Sequence, residues 1–168
     1  VDRPVDPASG LVVRYRFVVG DDLPDACLEG LRAGVERPWL YEVRLNGHAV
    51  PVEGAPRWFD EEMRALPVGE HARRGENVLS LEARPFTVFC EIMPVYLIGE
   101  FGLLPAARGF RVGAAAPLRL GDWTALGLPF YPDAVRYTFR FRQPQEGGLA
   151  LRLTGWQGSV AVVHLDGQ

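Results

Sequence analysis

Period-two alternation of apolar and polar residues runs through most of this chain. In LVVRYRFVVG, residues 11–20, Val13, Tyr15 and Phe17 alternate with Arg14 and Arg16. Successive strand side chains point to opposite faces, so the run predicts one core face and one wet face. WLYEVRLNGHAVPV, residues 39–52, carries two β-prone runs around Asn46-Gly47. That dipeptide tolerates positive φ at both central positions of a type I′ turn, and it predicts a hairpin. Further strands are predicted at Met63–Val68, at Asn77–Ala83 and at Val95–Leu103, with a short one at Cys27–Glu29. EEMRAL could instead form a helical turn, limited by Pro67. Nineteen glycines and 14 prolines punctuate short apolar runs, which is the rhythm of an all-β domain.

The order of elements suggests an internal repeat. The front reads VVRYRFVV, a loop, CLEGLR, then YEVRLNG; the tail reads VRYTFRFR, a loop, LALRLTG, then VAVVHLDG. Each half gives an aromatic-rich alternating strand, a leucine-rich strand, and a strand ending on Asn-Gly or Asp-Gly. Two copies of one β unit are therefore expected, the second stopping where its hairpin should begin. LPAARGF, around Leu104–Gly109, reads as a linker, with FRVG and PLRLG as short strand candidates beyond it. The expected division is a sandwich over residues 8–106 and a partial second sandwich over 108–168, or extra strands completing the first. An unpaired terminal strand is a liability. The chain is accordingly expected to be a fragment of a longer protein, or to have its last strand covered. Val1 in place of Met points to a processed or internal start.

Charge narrows the partners. The formal net charge is −3 with 18 basic residues, all of them arginine. A phosphate-driven nucleic-acid binder would show a basic stripe. The arginines of VVRYRF and VRYTFRFR point away from their aromatic neighbours, so they build no stacking groove. The lack of lysine removes Schiff-base and P-loop lysine chemistry. The most apolar stretch, PFTVFCEIMPVYLIGEFGLLP, contains Glu91, Glu100, Pro94 and Gly99, and reads as buried strand rather than bilayer helix. No signal peptide is evident. Neither nucleic acid nor membrane is expected as a partner.

YEVRLNGHAV and RWFDEEMRALPVGEHARRGENVLSLEA resemble the sugar-binding-type β-sandwich of glycoside hydrolase family 2 and its relatives. The matching features are Asn46-Gly47 ending a strand, Trp58-Phe59-Asp60 in a downstream loop, and Gly75-Glu76-Asn77 opening the next strand. EIMPVYLIGEFGL and LRLGDWTALGLPFYPDAVRYTFRF are similar to text in large bacterial glycosidase-like proteins, where one sandwich leads into the next. The likeness runs from about Leu11 to the end. It implies a galactose-binding-like jelly roll and a non-catalytic accessory or carbohydrate-binding role. The catalytic carboxylates of such enzymes usually sit in a separate barrel domain, which nothing here resembles. The partners it implies are a carbohydrate ligand and other domains of the parent chain.

The candidate chemistry fits that role. Sugar binding by a sandwich needs aromatic faces for C–H stacking and polar groups for hydroxyls. Trp58 with Asp60 forms one candidate set; Asp122, Trp123, Phe130 and Tyr131, with Asp133 nearby, form a second; Trp39 and Trp156 are weaker. The plainer reading is that these tryptophans plug the core or an interface. Asp60, Glu61 and Glu62 read as a solvated loop, and Glu91 and Glu100 as edge-facing or arginine-paired carboxylates, rather than a glycosidase pair. His48, His71 and His164 lack metal-ligand spacing, and no GxSxG setting surrounds Ser9, Ser80 or Ser159. Cys27 and Cys90 fit no zinc motif and read as buried thiols, with a disulfide as the alternative. No catalytic residue, cofactor or metal is expected of this chain.

Overall fold

The computed structural model describes residues 6–142, 150–155 and 157–165. They fall into two compact units, Val1–Asp133 and Ala134–Gln168. The first is a β-sandwich. Its strands are β1 (Leu11–Val19), β2 (Arg32–Glu36), β3 (Glu42–Leu45), β4 (His48–Ala49), β5 (Arg57–Trp58), β6 (Asp60–Pro67), β7 (Gly75–Ala83), β8 (Tyr96–Ile98), β9 (Gly102–Pro105) and β10 (Phe110–Gly113). One sheet has the order β4-β3-β7-β1-β10-β9 and the other β5-β6-β2-β8. All pairings are antiparallel except β1 with β10.

The period-two pattern decides the faces. β1 pairs with β7 along its whole length, from Leu11 opposite Ala83 to Val19 opposite Gly75. Arg14 and Arg16 are exposed while Tyr15, Phe17 and Val19 turn inward. On β7, Asn77, Leu79, Leu81 and Ala83 are buried in strict alternation. The core closes between the sheets: Val19, Val43, Leu45, Leu79, Leu81 and Val112 from one meet Leu31, Ala33, Val35, Leu66 and Val68 from the other. Burying such side chains contributes about 1.5–3 kcal/mol each and drives the two layers together.

The Asn46-Gly47 hairpin forms between β3 and β4, with φ of 52° and 87° at the two residues. Its position is fixed from beneath. Asn46 Nδ2 donates to the His71 carbonyl at 2.8 Å and to Asn77 Oδ1 at 2.9 Å. The Val78 amide donates to Asn46 Oδ1 at 3.0 Å. Asn77, fully buried, accepts from the Arg73 amide at 2.9 Å and donates to the carbonyls of Arg73 at 2.6 Å and Gly75 at 3.1 Å. Two separated sequence features, Asn-Gly and Gly-Glu-Asn, are thus one hydrogen-bonded clamp.

Several sequence expectations are corrected. Residues 25–29 form a short helix, α1 (Asp25–Glu29), instead of a strand at Cys27–Glu29. Their N–H groups bond back to the Pro24 carbonyl, which a strand could not do. The single strand expected over Val95–Leu103 is two, β8 and β9, which lie in different sheets. The chain changes layer at Gly99-Glu100-Phe101. EEMRAL is strand throughout. FRVG, as β10, joins β1 and β9, an extra strand of the first sandwich as the alternative division allows, and the first compact unit runs to Asp133. PLRLG forms no strand.

Among the described residues of the second unit there is no helix or strand. The expected strands at 134–142, 150–155 and 159–165 have no paired ladder. Alternation assigns faces to a segment, but a strand exists only where another backbone takes up its N–H and C=O groups. The Asp166-Gly167 turn and Trp156 lie outside the described residues.

A charge pair adds to the strand pairing of β10. Arg111 pairs with Asp22 in the loop after β1, and the Ala114 amide donates to the other Asp22 oxygen at 3.3 Å. The Arg111 hydrogen bond leads the causes that lower the Asp22 pKa from 3.8. A lowered pKa in the folded state means the contact is intact above the ordinary aspartate range and is lost as pH falls through the lower folded value.

Two outcomes are expected. Asn77→Ala leaves buried amides and carbonyls unpaired, and should lower unfolding free energy by about 2–3 kcal/mol in urea titration at unchanged m-value. Amide exchange protection at Val112 and Gly113 should persist from pH 7 down to 4 and weaken below the 3.8 reference. Asp22→Asn should show the weakened protection at every pH.

Candidate functional site: aromatic side chains on the four-stranded sheet

The two candidate aromatic sets separate clearly. Trp58 ends β5, and β5 and β6 are joined through Phe59 alone: Trp58 pairs with Asp60 across a register shift. So tight a reversal puts Phe59 at φ 65°, a region costly for an aromatic residue. Asp60 stabilises the reversal, its Oδ1 accepting from the amides of Glu62 and Met63 at 2.9 Å each. One carboxylate oxygen of Asp60 is therefore engaged in the turn. Phe59 is left 90% exposed.

The Trp58 ring lies across the solvent side of the four-stranded sheet. On β2, Ala33 and Val35 face the core, so Gly34 faces outward. A Cβ on Gly34 would sit 2.6 Å from Trp58 Cζ3 and 3.2 Å from Ile98 Cδ1. The missing side chain is the seat of the indole. Tyr96, opposite Gly34 on β8, brings its ring centroid to 5.4 Å from Trp58, tilted by 56°. Phe59 lies at 6.2 Å from Trp58, tilted by 46°. Tyr96 is 49% exposed, so two exposed rings flank the half-buried Trp58. Its neighbours include Arg57, in contact with Glu61 at 3.5 Å.

The second set has a different position. Asp122 Oδ1 accepts from the Thr124 hydroxyl at 2.7 Å and its amide at 2.9 Å, which together lower the Asp122 pKa. Trp123 packs edge-on to Tyr131 at 6.4 Å, and Phe130 edge-on to Phe110 of β10 at 5.3 Å. The same loop offers the Gly127 carbonyl to the Leu103 amide at 2.8 Å. It therefore covers β9, the edge strand of the larger sheet, which answers the hazard of an open edge. Phe130 keeps 69% of its surface exposed.

Trp39 has its own surroundings. It lies in a 3-10 turn, Pro38–Leu40, and is 52% exposed with the Arg64 guanidinium 5.1 Å from its ring centre. Beside it opens a cleft of about 220 Å³ lined by Trp39, Leu40, Tyr41, Glu42, Glu82 and Arg84. Glu42 and Glu82 face each other across β3 and β7. Arg44 pairs with Glu42, and Arg84 with Glu82, so the repulsion of two opposed carboxylates is offset. The Arg84 hydrogen bond is the main cause lowering the Glu82 pKa.

The remaining candidates have plainer places. Glu62 pairs with Arg37, and Glu91 and Glu100 are exposed. His48 and His71 stack at 4.8 Å. Among the described residues no three of His, Cys, Asp and Glu converge as metal ligands, and no helix is long and apolar enough to cross a membrane. Cys27 is half-buried, Cys90 buried, and both are free thiols.

Sequence reasoning missed Gly34 and Tyr96. The signal was present for Gly34: an isolated glycine inside the β-prone run RAGVE marks close approach by another group. Nothing local distinguishes Tyr96 from a core residue. Comparison with protein-family models, curated proteins and solved structures finds no match for this chain.

Gly34→Ala should displace the indole without unfolding the sheet. Its expected signature is a shifted tryptophan emission maximum, absent in Gly34→Ala/Trp58→Phe, with β-sheet circular dichroism unchanged.

Proposed function

We propose that this chain is a non-catalytic, carbohydrate-binding β-sandwich, an accessory region of a larger bacterial glycoside hydrolase. The observation that carries the reading is the Trp58 ring, seated over Gly34 beside Tyr96 on the outer face of a sheet. A broad aromatic face open to solvent suits the C–H faces of sugar rings. Because it lies across a sheet and not in a closed pocket, it suits a polymer chain better than a single sugar. The strained, exposed Phe59 extends that face. The glycoside hydrolase context is supported by the likeness of Asn46-Gly47, Trp58-Phe59-Asp60 and Gly75-Glu76-Asn77 to the family 2 sandwich. The jelly-roll assignment rests on the same likeness.

A second reading, a β-sandwich for protein contact with no glycan role, is favoured by the loop between β7 and β8. There Val88 is 85% exposed, and Phe89 and Ile92 are 63% exposed each. Tyr15 donates its hydroxyl to the Met93 carbonyl at 2.6 Å, and Tyr41 to the Glu91 carbonyl at 2.8 Å, so the loop backbone is held while apolar side chains face water. Exposed apolar groups of this kind mark contact surfaces.

Native gel electrophoresis through a panel of soluble polysaccharides, including a β-glucan, a xylan and a galactan, separates the readings. Glycan binding predicts retardation by at least one polymer. It also predicts an affinity loss of about tenfold or more in Trp58→Ala at near-native thermal stability, with Trp123→Ala retaining binding. Retardation equal in wild type and Trp58→Ala would remove the platform. Unchanged migration in every polymer would leave the contact reading.

A further inference from the structure

We infer that the cleft beside Trp39 is a second sugar site, which takes one neutral hexose ring at a chain end. The inference rests on the reading of this molecule as a glycan binder, but not on the Trp58 platform. Its volume of about 220 Å³ falls below the ~300 Å³ at which pockets for drug-sized ligands begin. That is room for one small ring. Trp39 supplies a half-exposed aromatic wall, and Tyr41 lies at the same opening. Hydroxyl recognition needs both acceptors and donors. Glu42 and Glu82 supply carboxylate oxygens from directly opposed positions, and Arg84 supplies a planar fork of N–H groups.

Charge selects the ligand class. The two carboxylates, Glu42 and Glu82, are each paired with a guanidinium, Arg44 and Arg84, and a third guanidinium, Arg64, stands over Trp39. Such surroundings offer no net attraction to a cationic sugar. Each carboxylate has about four acceptor positions and uses only part of them on its arginine. The unused lone pairs are available to sugar hydroxyls without breaking either ion pair. The Arg64 guanidinium, 5.1 Å from the Trp39 ring centre, adds positive charge beside the aromatic wall. The arrangement therefore distinguishes a terminal neutral hexose from glucosamine.

Saturation-transfer NMR with glucose, galactose, mannose and glucosamine tests the inference on the full chain. At least one neutral hexose should receive transfer, and glucosamine at least fivefold less. Trp39→Ala and Glu82→Gln should each cut the neutral-hexose signal by tenfold or more, while Trp58→Ala leaves it in place. Both cleft substitutions are at partly exposed positions, and thermal unfolding identifies any variant that has lost its fold; Trp39→Phe, which keeps a ring, should retain part of the signal. No transfer to any neutral hexose, or transfer lost in Trp58→Ala and kept in Trp39→Ala, overturns the cleft assignment. Polymer retardation in the same preparations reports on the platform separately. Retardation without hexose binding sinks the cleft alone, and hexose binding without retardation sinks the platform alone.

Discussion

The buried amide of Asn77 holds together three segments that nothing else connects so directly. Its two side-chain atoms make four hydrogen bonds, reaching Asn46 at the hairpin and both Arg73 and Gly75 in the loop before β7. Asn46 extends the set to His71 and Val78. A polar side chain with no exposed surface is costly unless fully paired, so the geometry admits little slippage. The clamp fixes where β7 begins. Since β7 pairs with both β1 and β3, it fixes the register of the larger sheet. A shift by one residue would turn Leu79 and Leu81 out to solvent. The packing of the smaller sheet, and every side chain presented on its outer face, depends on that register.

The tryptophans show how position in the fold assigns different uses to one residue type. Trp123 sits in a loop that covers an edge strand, Trp58 rests against Gly34 on the outer face of a sheet, and Trp39 borders a cleft with paired charges. The same logic applies to the acids. Asp60 and Asp122 both point at local amides and stabilise turns, as short carboxylates near a loop often do. Glu42 and Glu82, which look like ordinary strand residues in sequence, become a facing pair because the β3–β7 register sets them opposite each other.

The short-range features of this chain were legible without coordinates. Asn46-Gly47 specified its hairpin because few dipeptides accept two positive φ values. The faces of β1 and β7 followed from alternation, since a strand has only two sides. Gly34 carried a readable signal of close approach, though not the identity of the group approaching. α1 was misread because three residues, Cys-Leu-Glu, are too few to separate strand from helix, and Pro24 starts a helical turn by offering its carbonyl to the amides that follow.

What the sequence determined alone is therefore the all-β class, the principal hairpin and the core-facing positions of the long strands. All of these follow from local backbone preference and period-two geometry. The tertiary structure decided which strands share a sheet and where the first unit ends. It brought Tyr96 to Trp58 and Glu82 to Glu42. Those facts depend on pairings between distant segments, as in the Asp22–Ala114 bond, whose residues lie 92 apart in sequence. It also left the alternating tail without a ladder among its described residues. Alternation records that a segment is suited to a sheet; only another backbone at hydrogen-bonding distance makes it a strand.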